Sequence, residues 1–334
     1  DPDTGLGRWT PAQFRHAMAH GVGPNGPLYP AFPFQNFQHL SGSDVDAIFA
    51  WLRSRPPLRS QAPANTLTFP ASWRGALLGW RMLFHRPAPL AEEPAQGPAW
   101  NRGRYLVEGL GHCDMCHGER GAYGSLQRER HLGGGRIPGQ GWYAPALNRD
   151  ALARWDEASL ATYLRTGTAP QGSAYGPMAE VIHSSLQYLQ PDDALAIATY
   201  LTRLAPPPAA AAPRRSMPLP RARDLTGAVS GTLYERHCGD CHGRDGDGRE
   251  GIYPPLAGNP NVVADDPVNL IRVTLFGAAP PTTAGNPAPH TMPPFVDRLG
   301  EADLLALLNH VRGSWGNDAA AITPEQLRTV RSCS

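Results

Sequence analysis

Two C-x-x-C-H motifs constrain this chain more than any other feature of its sequence. They read CDMCH at residues 113–117 and CGDCH at residues 238–242. Two cysteines three positions apart lie on one helical turn, where both thiols can form thioethers with the vinyl groups of one haem. The histidine that follows directly is aimed at the iron as an axial ligand. The motifs predict two covalent haem c groups, with these residues: Cys113, Cys116 and His117 for one, and Cys238, Cys241 and His242 for the other.

Two other uses of paired cysteines fit the sequence less well. A zinc site usually needs a second pair of ligands at ordered spacing, whereas each motif here is followed only by loop glycines and scattered histidines. A thioredoxin-like redox pair belongs in a β-α-β context, and no such pattern surrounds either motif. A zinc-stabilised module is therefore the main alternative to haem attachment.

A methionine lies at a matching place after each motif. An electron-transferring haem iron needs a sixth ligand, and a methionine sulfur raises its reduction potential. Met178 and Met292 both fall in a Gly/Pro-rich stretch just before an amphipathic pattern. The alternative is that either methionine only fills a gap in a core, as most methionines do. We predict that Met178 and Met292 are the distal iron ligands.

The chain repeats one small helical unit. Three stretches have helical apolar spacing and an N-cap signal, and they are SDVDAIFAWL from Ser43, PDDALAIATYL from Pro191 and GEADLLALLNHV from Gly300. Each follows a predicted loop, namely YPAFPF, YGPMAEVI or HTMPPFV. Glycine and proline, 36 residues of each, also favour irregular structure. The sequence predicts an all-α fold of tandem domains with long Gly/Pro-rich loops, in which the first unit has only its second half.

Charge and hydropathy limit the partners. The net charge is +1 and no long run of like charge suggests a nucleic-acid groove, so nucleic acid is not an expected partner. The longest apolar stretch, Ala76 to Phe84, is broken by Arg81 and falls far short of the ~20 residues that cross a bilayer.

The segment WRGALLGWRMLF from Trp73 predicts a short aromatic helix, either for interdomain packing or for docking at a partner or membrane surface.

Several longer stretches resemble one protein family. They include WNRGRYLVEGLGHCDMCH, GWYAPALN, GPMAEVI, GTLYERHCGDCHG, YPPLAGN and MPPFVDRL. Together they resemble the cytochrome c subunits of bacterial membrane-associated dehydrogenases, a group that includes alcohol, gluconate and aldehyde dehydrogenase cytochromes and the cytochrome subunits of nicotinate or isoquinoline hydroxylases. The resemblance extends over nearly the whole chain, and it implies the same haem ligands that the motifs predict.

The resemblance gives each segment an expected role. Members of the family typically have three haem domains, which implies a further C-x-x-C-H motif and a third haem upstream of Asp1. The expected segments are the C-terminal half of a first cytochrome c domain without a haem motif (1–56), a linker with a short aromatic helix (57–98), a second cytochrome c domain (99–205), a Pro/Ala linker (206–225), a third cytochrome c domain (226–316) and a C-terminal tail (317–334).

The first unit departs from the family pattern. Alcohol dehydrogenase relatives have a methionine in the loop where YPAFPF places Phe32, and phenylalanine cannot bind iron. The nearby candidate for the sixth ligand of that haem is His39. This phenylalanine and the aromatic segment resemble cytochromes paired with molybdenum hydroxylases more than those paired with quinoprotein alcohol dehydrogenases. Cys333 stands alone near the end and is assigned no function.

These observations predict an electron-transfer subunit with no substrate chemistry of its own. It would relay electrons from a periplasmic dehydrogenase, whether molybdenum hydroxylase, quinoprotein or flavoprotein, to membrane quinone or a terminal oxidase. Its expected place is the outer face of the bacterial inner membrane, with a peripheral membrane contact as one option. The alternative is a di-haem peroxidase-like enzyme or a thiosulfate dehydrogenase, which would need an iron with an open coordination position.

Overall fold

The computed structural model describes residues 1–64, 66–88, 90–206 and 220–332. They form two units, Asp1–Met115 and Cys116–Ser334. Cys333 and residues 207–219 of the predicted Pro/Ala linker lie outside the described residues. Within the described ranges, no helix has both the length and the apolar character needed to cross a membrane.

The first unit consists of short helices and one hairpin. Its helices are α1 (Pro11–His20), α2 (Phe34–Phe37), α3 (Gly42–Arg53), α4 (Arg74–Phe84) and α5 (Pro98–Tyr105), which a π-helical turn extends over Leu106–Leu110. The hairpin pairs β1 (Val22–Gly23) with β2 (Gly26–Pro27) in antiparallel register. A further short helix, α6 (Asp114–His117), contains the boundary between the two units.

Helices α1 and α3 hold the core of the first unit. Thr10 and Gln13 form a reciprocal capping box that starts α1, and Gly21 ends it in the left-handed conformation with φ +62°. Phe14 of α1 stacks on Phe49 of α3 with ring centroids 4.8 Å apart. These two buried rings lie in the hydrophobic cluster of the unit, so they account for the packing of α1 against α3.

The second unit contains the remaining elements. Its helices are α7 (Glu157–Thr166), α8 (Gly176–Ser184), α9 (Pro191–Arg203), α10 (Ala228–His237), α11 (Gly239–His242), α12 (Pro260–Val263), α13 (Val268–Phe276), α14 (Glu301–Gly313) and α15 (Pro324–Ser332). Single 3-10 turns lie at Arg128–Arg130, Leu186–Tyr188 and Ala222–Leu225. Antiparallel hairpins pair β3 (Gly135–Ile137) with β4 (Trp142–Ala144) and β5 (Thr168–Ala169) with β6 (Gly172–Ser173).

The three helices predicted to close the repeats are confirmed. Helices α3, α9 and α14 cover the stretches predicted from Ser43, Pro191 and Gly300. Each buries apolar side chains at helical spacing, which is why local periodicity was enough to find them.

A hydrophobic cluster of the second unit includes residues of α10, α13, α14 and α15. Leu304 of α14 and Leu327 of α15 are both fully buried in it. The segment 317–334, expected as a tail, thus contributes α15 to this core. This helix is short and mostly polar, so its residues did not indicate a core element.

One buried charge ties this core together. Arg312 of α14 is 1% exposed and donates hydrogen bonds to the carbonyl oxygens of Val262, Ala264 and Ala320 at 2.6–2.9 Å. Its fork of N–H groups therefore joins α14 both to the end of α12 and to the strand-like segment before α15.

Polar contacts join residues 135–144 to α13 within the second unit. The side chain of Asn269 accepts a hydrogen bond from the Tyr143 backbone N–H at 3.0 Å and donates one to the Tyr143 carbonyl at 2.7 Å. Nearby, Arg136 forms a two-pronged ion pair with Asp266. A backbone recognised through both of its polar groups is held in register, so this contact fixes where β4 lies against α13.

Candidate haem sites

The CGDCH motif lies where helix α10 gives way to the short helix α11. His242 is buried, and its Nδ1 lies 2.9 Å from the carbonyl oxygen of Pro254. A carbonyl can only accept, so Nδ1 carries the proton and Nε2 is left with its lone pair. Burial lowers the pKa of His242, which favours the neutral imidazole that binds metals. Tyr234 fixes the preceding helix by donating its hydroxyl proton to the carbonyl of Gly243 at 2.7 Å.

A cavity opens in front of this imidazole. The space measures about 1180 Å³ when the open solvent at its mouth is counted, and its walls are mainly apolar. Four of the predicted site residues line it together, and they are Cys238, Cys241, His242 and Met292. An apolar cleft with two thiols, one imidazole and one thioether matches the donor set of a c-type haem site. These residues therefore fit the predicted haem.

The backbone around Met292 is tightly fixed. Met292 and Ala278 exchange two backbone hydrogen bonds, of 2.8 and 3.1 Å. Gly277, just before this bridge, has φ +78° and ψ 178°, and a Cβ there would lie 2.5 Å from the Met292 carbonyl oxygen. Only glycine adopts this backbone conformation readily. Gly277 thus allows the close approach that places Met292 at the cavity.

The CDMCH motif repeats the same local hydrogen bond. The Nδ1 of His117 lies 2.7 Å from the carbonyl oxygen of Pro145, and burial lowers the pKa of His117 as it does for His242. Each motif therefore presents a neutral histidine whose ring is oriented by a proline carbonyl, the usual outer partner of a metal-binding imidazole.

These two proline carbonyls were not predicted from the sequence. A P-x-L pattern follows each motif, starting at Pro145 and at Pro254. That shared pattern is the signal that could have found them, although a main-chain acceptor leaves no trace in residue type.

Met178 lies in a helix and not in a loop, so the predicted conformation of YGPMAEVI was wrong. It occupies the first turn of α8, where Pro177 supplies the fixed φ that suits a helix start. The preceding Gly176 has φ +55° and lies directly against the ring of Trp142. Ligation of iron by Met178 stays a prediction.

The segment before α8 also reaches the other site. Ser173, Ala174 and Tyr175 line the cavity that holds His242 and Met292. Tyr175 contacts Trp142, with ring centroids 5.7 Å apart, and burial raises the pKa of Tyr175 so that its phenol stays protonated. Within the second unit, a few residues therefore separate the wall of one candidate site from the predicted methionine ligand of the other.

The first unit contains Phe32 and His39, the two residues considered in connection with the sixth ligand of the first-domain haem. Phe32 packs against its hydrophobic cluster and meets Phe37 edge to face at 5.3 Å. Burial lowers the pKa of His39, and the Nδ1 of His39 makes no hydrogen bond within the described residues. Phe32 thus serves packing, and a ligand role for His39 stays a prediction.

Comparison with known proteins agrees with this chemistry. Residues 231–315, which contain the second motif and Met292, match the cytochrome c family. Over 99% of its length the chain is 35% identical to the gluconate 2-dehydrogenase cytochrome c subunit of Pantoea cypripedii, and it covers 79% of that protein. The chain belongs to the cytochrome c subunits of dehydrogenases. It is likewise 33% identical to the cytochrome c subunit of alcohol dehydrogenase (quinone) from Gluconobacter oxydans, over 99% of this chain and 73% of that subunit.

The family also includes a much longer relative. The chain is 39% identical to a nicotinate dehydrogenase subunit of Pseudomonas putida over 93% of its own length, but it spans only 26% of that protein. Family membership confirms the predicted resemblance and the predicted role as an electron-transfer subunit. It implies haem c as the cofactor, and it does not favour the peroxidase-like alternative.

Proposed function

We propose that the chain binds two haem c groups in tandem cytochrome c domains, at 99–205 and 226–316, and relays electrons between them. The observation that carries this proposal is the single cavity shared by Cys238, Cys241, His242 and Met292. The matching histidine-to-proline hydrogen bonds at 2.7 and 2.9 Å support an equivalent site at the first motif.

The residues of each site have separate tasks. Bound haem c supplies a one-electron couple. The cysteines would anchor it covalently, and the hydrogen bond to the Pro254 carbonyl keeps the Nε2 of His242 available to bind the iron. Met292 supplies a thioether from a backbone bridge that limits its movement. An iron bound by both His242 and Met292 would have no open position for a substrate, which suits electron transfer.

The segment Ser173–Tyr175 supports passage of electrons between the two haems. It lines the second site and leads directly into α8, which carries Met178. The reciprocal hydrogen bonds between Asn269 and Tyr143 keep the adjoining β4 in place. A relay needs its centres at a constant separation, and these contacts support that requirement.

The partners follow from the family. Relatives are named as subunits of nicotinate, alcohol, gluconate and fructose dehydrogenases. We infer that this chain accepts electrons from a catalytic dehydrogenase subunit and passes them to membrane quinone or a terminal oxidase. It would do so in the periplasm, at the outer face of the inner membrane.

Haem counting tests the proposal. Cys113→Ser/Cys116→Ser and Cys238→Ser/Cys241→Ser should each remove one haem per chain in a pyridine haemochrome assay, while the control Cys333→Ser removes none. The oxidised wild type should also show the near-infrared methionine-to-iron charge-transfer band. Unchanged haem content in either double variant, or a high-spin five-coordinate spectrum, would contradict the proposal.

A further inference from the structure

Exposed apolar side chains concentrate in one part of the first unit. Five large ones between residues 58 and 83 are 63–81% exposed, and they are Leu58, Phe69, Trp73, Met82 and Leu83. Single exposed apolar residues are common on proteins, but a concentration of them marks an interaction surface.

Helix α4 carries apolar side chains on both of its faces. Leu77 is buried on the inner face, with Trp80 and Phe84 partly buried beside it. On the opposite face, Leu78, Met82 and Leu83 are exposed. A helix face that meets water normally carries charged or polar residues. The outer face of α4 therefore suits an apolar or interfacial environment.

The charge of the same segment has one sign. From residue 47 to residue 91 the sequence has no aspartate or glutamate, although the whole chain is almost neutral at +1. The segment contains six arginines, of which Arg81 is partly buried and five are exposed, namely Arg53, Arg55, Arg59, Arg74 and Arg86. Arginine with tryptophan, phenylalanine and leucine is the composition of segments that lie in a membrane interface.

We propose that this basic apolar surface, residues 51–64 and 66–86, lies on an anionic lipid bilayer. The outer face of α4 and the exposed aromatic side chains of the same segment enter the headgroup region, and Arg55 and Arg59 bind lipid phosphates. Anionic lipids offer negative charge at many points of contact, so arginines scattered along an irregular segment can bind them without a complementary protein surface. Arg53 and Arg74 also donate hydrogen bonds to backbone carbonyls of the first unit, so Arg55 and Arg59 are the side chains to test. The inference deepens the proposed function, since it names the surface by which the subunit reaches the membrane.

Vesicle flotation tests this surface. The haem-loaded protein, expressed from its complete gene, is mixed with vesicles of phosphatidylglycerol and phosphatidylcholine or of phosphatidylcholine alone. We expect Met82→Glu/Leu83→Glu to weaken binding to the anionic vesicles by about tenfold or more. Arg55→Gln/Arg59→Gln should weaken it by about fivefold per arginine, and raised salt should mimic that loss. The matched control is Tyr188→Glu/Val229→Glu, which changes two side chains of similar exposure, 73% and 74%, outside this surface.

The outcomes separate this inference from the proposed function. Preferential flotation with anionic vesicles, lost in both test variants and kept in the control, would support it. Equal losses in control and test variants, or no flotation of wild type, would overturn it, and so would a change of oligomeric state in the test variants. Haem content and the charge-transfer band, measured on the same samples, report on the proposed function independently.

Discussion

Replacing Arg312 by methionine tests what stabilises the wall of the candidate haem cavity. Its guanidinium donates three hydrogen bonds to main-chain carbonyls, and one of the acceptors, Val262, also lines the cavity. Hydrogen bonds that involve a charged group contribute about 1.5–3 kcal/mol each, and unpaired buried acceptors add to the loss, while the apolar contacts of methionine offset part of it. We expect Arg312→Met to lower the free energy of unfolding by about 4 kcal/mol.

Urea and thermal unfolding of the haem-loaded protein, followed by circular dichroism, measure this change. A loss of that size corresponds to a fall in Tm of roughly 8–16 °C for a unit of this length. Arg312→Lys keeps the positive charge but lacks the planar set of N–H donors, so its free energy of unfolding should lie between those of wild type and Arg312→Met. The matched control is Arg328→Met, because Arg328 is exposed and lies 3.9 Å from Glu301, so a change within about 0.5 kcal/mol is expected. Equal losses of unfolding free energy in Arg312→Met and Arg328→Met would show that the three hydrogen bonds of Arg312 do not stabilise this core.

Two further predictions concern the same region. Gly277→Ala should displace Met292 and weaken the methionine-to-iron charge-transfer band. The control Gly251→Ala, at a similar φ of +71° but with open space around it, should keep the band and lower the free energy of unfolding by only about 1–2 kcal/mol. Equal spectra in the two variants would show that the close contact at Gly277 is unimportant for the position of Met292. Burial lowers the pKa of His310, so the folded protein binds a proton at this side chain less readily than the unfolded chain does as the pH falls through 6.5. Wild type should therefore lose more stability than His310→Gln between pH 7 and pH 5 in urea unfolding, and identical losses would place that pH dependence elsewhere.

The parts of the structure that sequence could predict are those fixed by neighbouring residues. The spacing of cysteines and histidine in each motif, and the apolar periodicity of α9 and α14, are local patterns. The start of α8 just before Met178 also has a local signal, since Pro177 favours the beginning of a helix. The prediction of a loop there gave more weight to the Gly/Pro content of the stretch.

Other features depend on how distant segments pack. Tyr175 lines a site whose cysteines follow it by more than sixty positions, and no periodicity indicates such a contact. The burial of α15 likewise depends on tertiary packing, because α15 packs against α13 and α14. These features come from tertiary packing, to which local propensity contributes little.

The hydrogen bonds from His117 and His242 end on main-chain carbonyls, those of Pro145 and Pro254. A side-chain acceptor can be exchanged by one mutation, but a carbonyl belongs to the chain itself and is present whatever residue stands there. The donor strength of each imidazole is thus set by the path of a loop, and surrounding side chains can diverge without altering it. Two sites with the same axial residues can differ in redox potential through loop shape and solvent access alone.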